Sequence, residues 1–160
     1  MIIIGIDPGL KATGYGVLRY EGNKIVLLET GTVIPKQKAP IEQRINKVYA
    51  NLDDIILQYK PDCMVLEKLY AHSNHPLTAS ILGHVRGVIC LLCAQHKVSL
   101  IEHSVKRIRQ SLTGNGNASK QQTQRVVAHV LKIKPDQLTL DASDALALAL
   151  GYINLLKFKL

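Results

Sequence analysis

Four acidic residues in this chain stand where apolar segments begin or end. Asp7 follows Ile2-Ile3-Ile4-Gly5-Ile6, and Glu67 follows Met64-Val65-Leu66. Asp141 and Asp144, three positions apart, come just before Ala145-Leu146-Ala147-Leu148-Ala149-Leu150. A carboxylate at the end of an apolar run belongs at the rim of a core, where a strand stops. Four that converge make an oxygen-rich site, which suits Mg²⁺ or Mn²⁺ rather than zinc. Two such ions about 4 Å apart activate a water and stabilise the leaving oxygen of a phosphodiester. Without metal, carboxylates held this close raise one another's pKa values.

Each acid alone also has a plainer reading. Asp7, before Pro8-Gly9, can cap a turn through its own backbone. Glu67 can pair with Lys68 or another cation. Asp141 and Asp144 share a face in the first turn of a helix, where the helix dipole favours negative charge. The helix dipole does not explain why Asp7 and Glu67 look alike.

The elements that would position these acids are legible as pattern. Residues 1–7 read as a buried strand. A second strand runs from the Gly14-Gly16 region through about Tyr20, a turn follows at Glu21-Gly22-Asn23, and a third strand spans Lys24 to Ile34. Ile41, Ile45, Val48, Leu52, Ile55 and Ile56 recur at helical spacing over residues 41–59. Asp62 to Leu66 is a short buried strand, Leu77 to Gln95 a long apolar helix, and Val98 to Glu102 a fifth strand. A short helix over 104–112 precedes Gly114-Asn115-Gly116-Asn117. Ser119 and Gln122 form a capping box for the next helix, and the last helix runs from about Leu140 to Leu156. This order predicts an α/β fold: one five-stranded mixed sheet flanked by helices, in a single domain over residues 1–160.

Composition narrows the substrate. The chain has 160 residues, with 20 Lys plus Arg against 12 Asp plus Glu, a formal charge of +8. That excess favours a polyanion such as nucleic acid. Arg107, Arg109, Lys120 and Arg125 make the densest basic stretch, and the Gly114–Lys120 segment could hold a phosphate or simply start a capped helix. Tyr70, on a polar segment after Glu67, can stack on an unpaired base; His72 and His75 beside it read as solvated loop histidines. No apolar run reaches the roughly 18 residues of a membrane span. No basic segment precedes the first apolar run, so neither a signal peptide nor a membrane role is expected, and a cytoplasmic location is. The three cysteines include Cys90-Leu91-Leu92-Cys93 with His96 a turn on. No second pair completes a zinc site, so this segment reads as buried helix.

Gly5-Ile6-Asp7-Pro8-Gly9 with Thr13-Gly14-Tyr15-Gly16, Glu67, and Asp141-Ala142-Ser143-Asp144-Ala145 together closely resemble the RuvC family of Holliday-junction resolvases, in the RNase H-like superfamily. Gly83-His84-Val85-Arg86-Gly87, Arg107-Ile108-Arg109-Gln110 and Gly114 to Lys120 also resemble family segments, and the likeness runs over essentially the whole chain. It implies an RNase H-like nuclease acting on four-way DNA junctions in recombination and repair. It implies Mg²⁺ or Mn²⁺, two ions per active site, held by Asp7, Glu67, Asp141 and Asp144. Lys120 matches a basic residue that supports catalysis, Arg109 a second basic position, and Tyr70 an aromatic that engages bases. A homodimer working with RuvA and RuvB is implied as well. The first motif alone also fits the phosphate turn of actin-like kinases and ATPases, which need two domains and a second phosphate loop. A non-cleaving nucleic-acid binder, and an RNase H-like nuclease of ribosomal RNA processing, are the other readings a cleavage assay separates.

Overall fold

A computed structural model describes residues 1–68 and 76–157. Five strands form one sheet: β1 (Ile2–Asp7), β2 (Thr13–Glu21), β3 (Lys24–Val33), β4 (Cys63–Glu67) and β5 (Ser99–His103). The spatial order is β3-β2-β1-β4-β5. β1 to β3 are an antiparallel meander, whereas β1, β4 and β5 run parallel. The helices are α1 (Ile41–Tyr59), α2 (Pro76–His96), α3 (Val105–Thr113), α4 (Lys120–Leu131) and α5 (Leu140–Lys157), with a 3₁₀ turn at Pro135–Gln137. The mixed sheet and the element order expected from the sequence are both present. Strand ends move by a residue: β4 includes Glu67, β3 stops at Val33, and β5 starts at Ser99.

Alternation along the strands divides the core into two. Ile4, Ile6, Val17, Met64 and Leu66 pack with Val48, Leu52, Ile56, Val85, Ile89 and Leu92 of α1 and α2. Ile3, Leu18, Cys63 and Val65 pack on the other face with Ile108, Val127, Leu146, Leu150 and Ile153 of α3, α4 and α5. Side chains of successive strand residues point to opposite faces. Asp7 continues the Ile3–Gly5 series and Glu67 the Cys63–Val65 series, so both acids belong to the α5 face. The register sets Ile6 beside Leu66, which brings the two strand ends level.

α5 lies unusually close to that face. A Cβ on Gly5 would stand 2.0 Å from the Ala145 carbonyl oxygen, and one on Gly14 would stand 2.0 Å from the Asp141 carbonyl oxygen. Any side chain at either position would force the helix away. Gly14 is also the register partner of Asp7, so the first turn of α5 is pressed over the end of β1. Thr139 secures this start: its hydroxyl accepts from the Ala142 N–H at 3.2 Å and shares a hydrogen bond with the Thr32 hydroxyl at 2.6 Å.

The cysteine segment divides. Cys63 and Cys93 are buried and free, as a core reading requires, but Cys90 is exposed. Cys93 belongs to the stripe that packs on the sheet, and Cys90, about 60° round the helix from it, falls beyond the edge of that stripe.

Candidate active site

Asp7, Glu67 and Asp144 line one cleft, together with Arg109, Lys120, Thr123 and the apolar side chains of Val105, Ile108, Ala147 and Leu148. It opens at the carboxyl ends of parallel strands β1 and β4, the place where open α/β sheets bind ligands. Three elements supply the acids. β1 ends in Asp7, β4 ends in Glu67, and α5 carries Asp141 and Asp144 in its first turns. Asp141 does not line the cleft, but it is close enough to act on Asp7 and Lys120 electrostatically.

The charges are strongly coupled. Burial pushes the Asp7 carboxyl up to about 7, and Asp144, Glu67 and Asp141 add repulsion that Lys120 partly offsets. Glu67 is raised by burial first and by Asp144 next; Lys120, Arg109 and Arg86 pull it back down. Lys120 Nζ donates to Asp144 Oδ2 at 2.5 Å, and this hydrogen bond raises the lysine above its ordinary value. Among the described residues, no three His, Cys, Asp or Glu side chains stand arranged as a finished ion shell. The ammonium of Lys120 instead takes up the negative charge of Asp144. The donors are nonetheless carboxylate oxygens alone, and Asp7 and Glu67 are raised first by burial and then by neighbouring acids, more than Lys120 offsets. Both properties fit a hard divalent cation.

Local structure explains how Lys120 arrives there. The Gln110 side chain donates to the Gly114 carbonyl at 2.7 Å and accepts from the Gly116 N–H at 2.8 Å, which shapes the loop before α4. Ser119 and Gln122 then close a capping box, so Lys120 is the first residue of the helix. The box expected from the sequence is present. Arg107 and Arg125, in the same basic stretch, do not line the cleft. Tyr70, His72 and His75 lie outside the described residues.

Similarity to known proteins shows the family. Residues 3–152 match the family described as crossover junction endodeoxyribonuclease RuvC. The chain belongs to the RuvC family. The RuvC of Alkaliphilus metalliredigens is 36% identical over 154 residues, spanning 96% of this chain and 93% of that one. The RuvC of Desulforamulus reducens is 39% identical, over 94% of this chain and 91% of its own. Among solved structures, Thermus thermophilus RuvC in complex with a Holliday junction substrate superposes with a TM-score of 0.88 at 22% identity, covering 99% and 96% of the two chains. A fowlpox virus Holliday junction resolvase superposes at 0.60 and 18% identity, covering 98% and 99%. These two likenesses establish the RNase H-like fold, and the RuvC relatives establish the chain as a nuclease of that fold.

Arg86 is a contributor to the site that residue patterns alone did not single out; it entered only inside a family-like segment. Its signal was a lone cation in the apolar stretch Leu82 to Ile89.

Proposed function

We infer that this protein is a crossover junction endodeoxyribonuclease that resolves four-way (Holliday) DNA junctions by paired, metal-dependent phosphodiester hydrolysis in recombination and repair. The observation that carries this reading is the single cleft lined by Asp7, Glu67, Asp144, Arg109 and Lys120, in a member of the RuvC family. Residues 1–160 act as one nuclease domain. Asp7, Glu67, Asp141 and Asp144 would hold Mg²⁺, or Mn²⁺ in its place, as two ions. Bound there, the metal supplies Lewis-acid polarisation of the phosphate and a water of lowered pKa.

The chain's own residues do the rest. Glu67 and Asp7 carry pKa values raised by burial, which favours any added positive charge at the strand ends. Lys120 is held at Asp144, from where its flexible ammonium can turn to a phosphate oxygen. Arg109 adds a second cation at the cleft wall. Val105, Ile108, Ala147 and Leu148 form an apolar floor that strengthens electrostatic interactions above it. Tyr70, three residues after Glu67 in sequence, would stack on an unpaired base near the crossover.

A homodimer suits a substrate with two equivalent strands. The exposed face of α2 supports one: Ile81 is 38% and Leu91 50% exposed, and nothing stands within 4 Å of a Cβ built on Gly83 or Gly87. Membership of the family supports RuvA and RuvB as branch-migration partners and the cytoplasm as the location. Among the described residues no helix is long and apolar enough to cross a membrane.

The deciding experiment compares cleavage of a four-way DNA junction, a linear duplex and a structured RNA in Mg²⁺. Paired nicks in the junction, with the other two left intact, are expected. Equal cutting of duplex, or preferential cutting of RNA, overturns the reading.

A further inference from the structure

Among the described residues, Arg86 is the one buried charged residue. It sits on α2, flanked by Val85 and Gly87. Its Nη1 donates to the backbone carbonyl oxygen of Glu67 at 2.7 Å, and its Nη2 pairs with the Glu102 carboxylate on β5. Burying a guanidinium is costly, and a well-packed apolar side chain often stabilises a core as much or more. The fold alone therefore gives little reason for an arginine here. The carbonyl it holds gives a reason.

Glu67 is the last residue of β4 and presents its carboxylate to the cleft. The peptide unit joining Glu67 to Lys68 is gripped at both ends. Its carbonyl is taken by Arg86, and its N–H, that of Lys68, donates to the His103 carbonyl at 2.8 Å. Glu102, which anchors the guanidinium, is the register partner of Leu66, the residue before Glu67. By strand alternation Glu102 lies on the α2 face and Glu67 on the α5 face. The clamp thus reaches the strand from behind and touches only the backbone of the acid, leaving its side chain to the cleft. Arg86 is also among the cations that offset burial at Glu67.

We propose that Arg86 is a positioning residue of the active site: by clamping the Glu67–Lys68 peptide against β5, it fixes the direction in which Glu67 presents its carboxylate to Asp7 and Asp144. The proposal rests on the nuclease reading above. It also ties α2, whose opposite face is exposed, to the catalytic end of β4. A planar fork makes both bonds at once, which a lysine ammonium of shorter reach does not. Geometry and charge can therefore be separated.

The test uses the full chain with Arg86→Gln, Arg86→Lys and Glu102→Gln. Four quantities are measured: single-turnover junction nicking, junction affinity without catalytic metal, Mn²⁺ binding by the spectroscopic signal of the free ion, and thermal midpoint. Arg86→Gln and Arg86→Lys are both expected to slow nicking about tenfold to a hundredfold and to weaken Mn²⁺ binding, the range seen when supports of metal ligands are removed. Junction affinity should stay at the parent level. Glu102→Gln, on a partly exposed side chain that leaves the Arg86–Glu67 bond in place, should show the same pattern more weakly. An Arg86→Lys variant that nicks like the parent reduces the role to charge and overturns the proposal. So does a loss of rate that follows the unfolded fraction while Mn²⁺ binding per folded molecule is unchanged. If Arg86→Gln does not fold, Glu102→Gln decides: parent-like nicking and Mn²⁺ binding overturn the clamp, and a joint loss at an unchanged midpoint supports it. A parent that nicks no junction in Mg²⁺ removes the nuclease reading instead, so the two failures are distinguishable.

Discussion

The two faces of the sheet are built on opposite rules. Behind it, α1 and α2 meet the strands through large side chains: Ile4, Ile6, Met64 and Leu66 against Leu52, Ile56, Ile89 and Leu92. In front, α5 meets β1 and β2 through glycines on the strands and alanines on the helix, with backbone nearly touching backbone. Interdigitated side chains on the back face keep α1 and α2 at the ordinary distance of a packed core. The close approach on the front face brings the start of α5 onto the ends of β1 and β4. That is what puts Asp144 in one cleft with Asp7 and Glu67. One face supplies stability, and the other spends side-chain volume on placing charge.

The comparison is broken most sharply at its chemical end. Asp7→Asn is isosteric and stays in a strand whose packing it does not share, so folding and junction binding should survive. Binding rests on phosphate contacts with the basic surface. Nicking in Mg²⁺ should fall by about a thousandfold or more, the scale of losing several kcal/mol of charge stabilisation at the phosphate. Gel-shift titration beside a single-turnover cleavage assay checks both halves; parent-like turnover would remove Asp7 from the site.

The packing rule itself is tested by one substitution on each face. Gly14→Ala puts a Cβ into the Asp141 carbonyl, and the three nearest atoms it meets are all backbone. The first turn of α5 must move, so nicking per folded molecule should drop by about a hundredfold, the cost of misplacing groups by an ångström. Leu52→Ala on α1 removes a fully buried side chain far from the acids and should cost about 2–5 kcal/mol of stability. Its folded fraction should nick at the parent rate. If Leu52→Ala loses specific activity as severely as Gly14→Ala, the two faces are not separable.

The back face was the more legible of the two from sequence. Ile41 to Ile56 at helical spacing and the continuous apolar runs of β1 and β4 gave α1 and both strands nearly to the residue, because burial writes a period on a helix and an unbroken apolar run on a strand covered on both faces. The four acids were legible too, as the ends of those runs. The close fit of α5 was not. Gly5, Gly14 and Gly16 read as turn and strand signals, and only the assembled fold gives each a helix atom within 2.3 Å of its missing Cβ. Arg86 was illegible for a related reason: its partners are a backbone carbonyl and a residue on another strand, and no local spacing encodes either. Cys90 was placed in the core by the apolarity of its neighbours, although α2 turns it outward.

A smaller effect separates the faces by pH. With metal removed, Asp7 titrates near 7, against 3.8 for the free side chain. A carboxyl whose folded pKa is raised binds its proton more tightly in the folded state. Stability should therefore rise as pH falls from about 7 toward 4, and the benefit should be complete below the unfolded value. Asp7→Asn lacks this titration. In chelator, the unfolding free energy of the variant should exceed that of the parent at pH 8 by on the order of 1–2 kcal/mol, read from denaturant titrations, and the gap should close near pH 4. The buried apolar contacts of α1 and α2 carry no such dependence. A gap that stays constant across the range would show that Asp7 is not under charge strain.

The smallest expected effect concerns how each face starts its helices. α1 opens at Pro40 with no side-chain cap, as a helix held by its buried stripe can. α4 is shorter and opens with Ser119 accepting from the Gln122 N–H while Gln122 answers to the Ser119 N–H. Its first residue is Lys120, whose ammonium reaches Asp144. On the front face a frayed first turn would displace a functional charge as well as lose a helical bond. Ser119→Ala should cost about 1 kcal/mol of stability, the usual value of such a cap. Nicking should slow by a few-fold more than Lys120-independent steps do, so junction affinity should change less than the cleavage rate. Ser119→Asp, which restores an acceptor at the cap, should recover both stability and rate. Should Ser119→Ala lower the melting midpoint yet cleave at the parent rate, the first turn of α4 holds Lys120 without help from its cap. Precise placement on the front face would then rest on α5 and the strand ends alone.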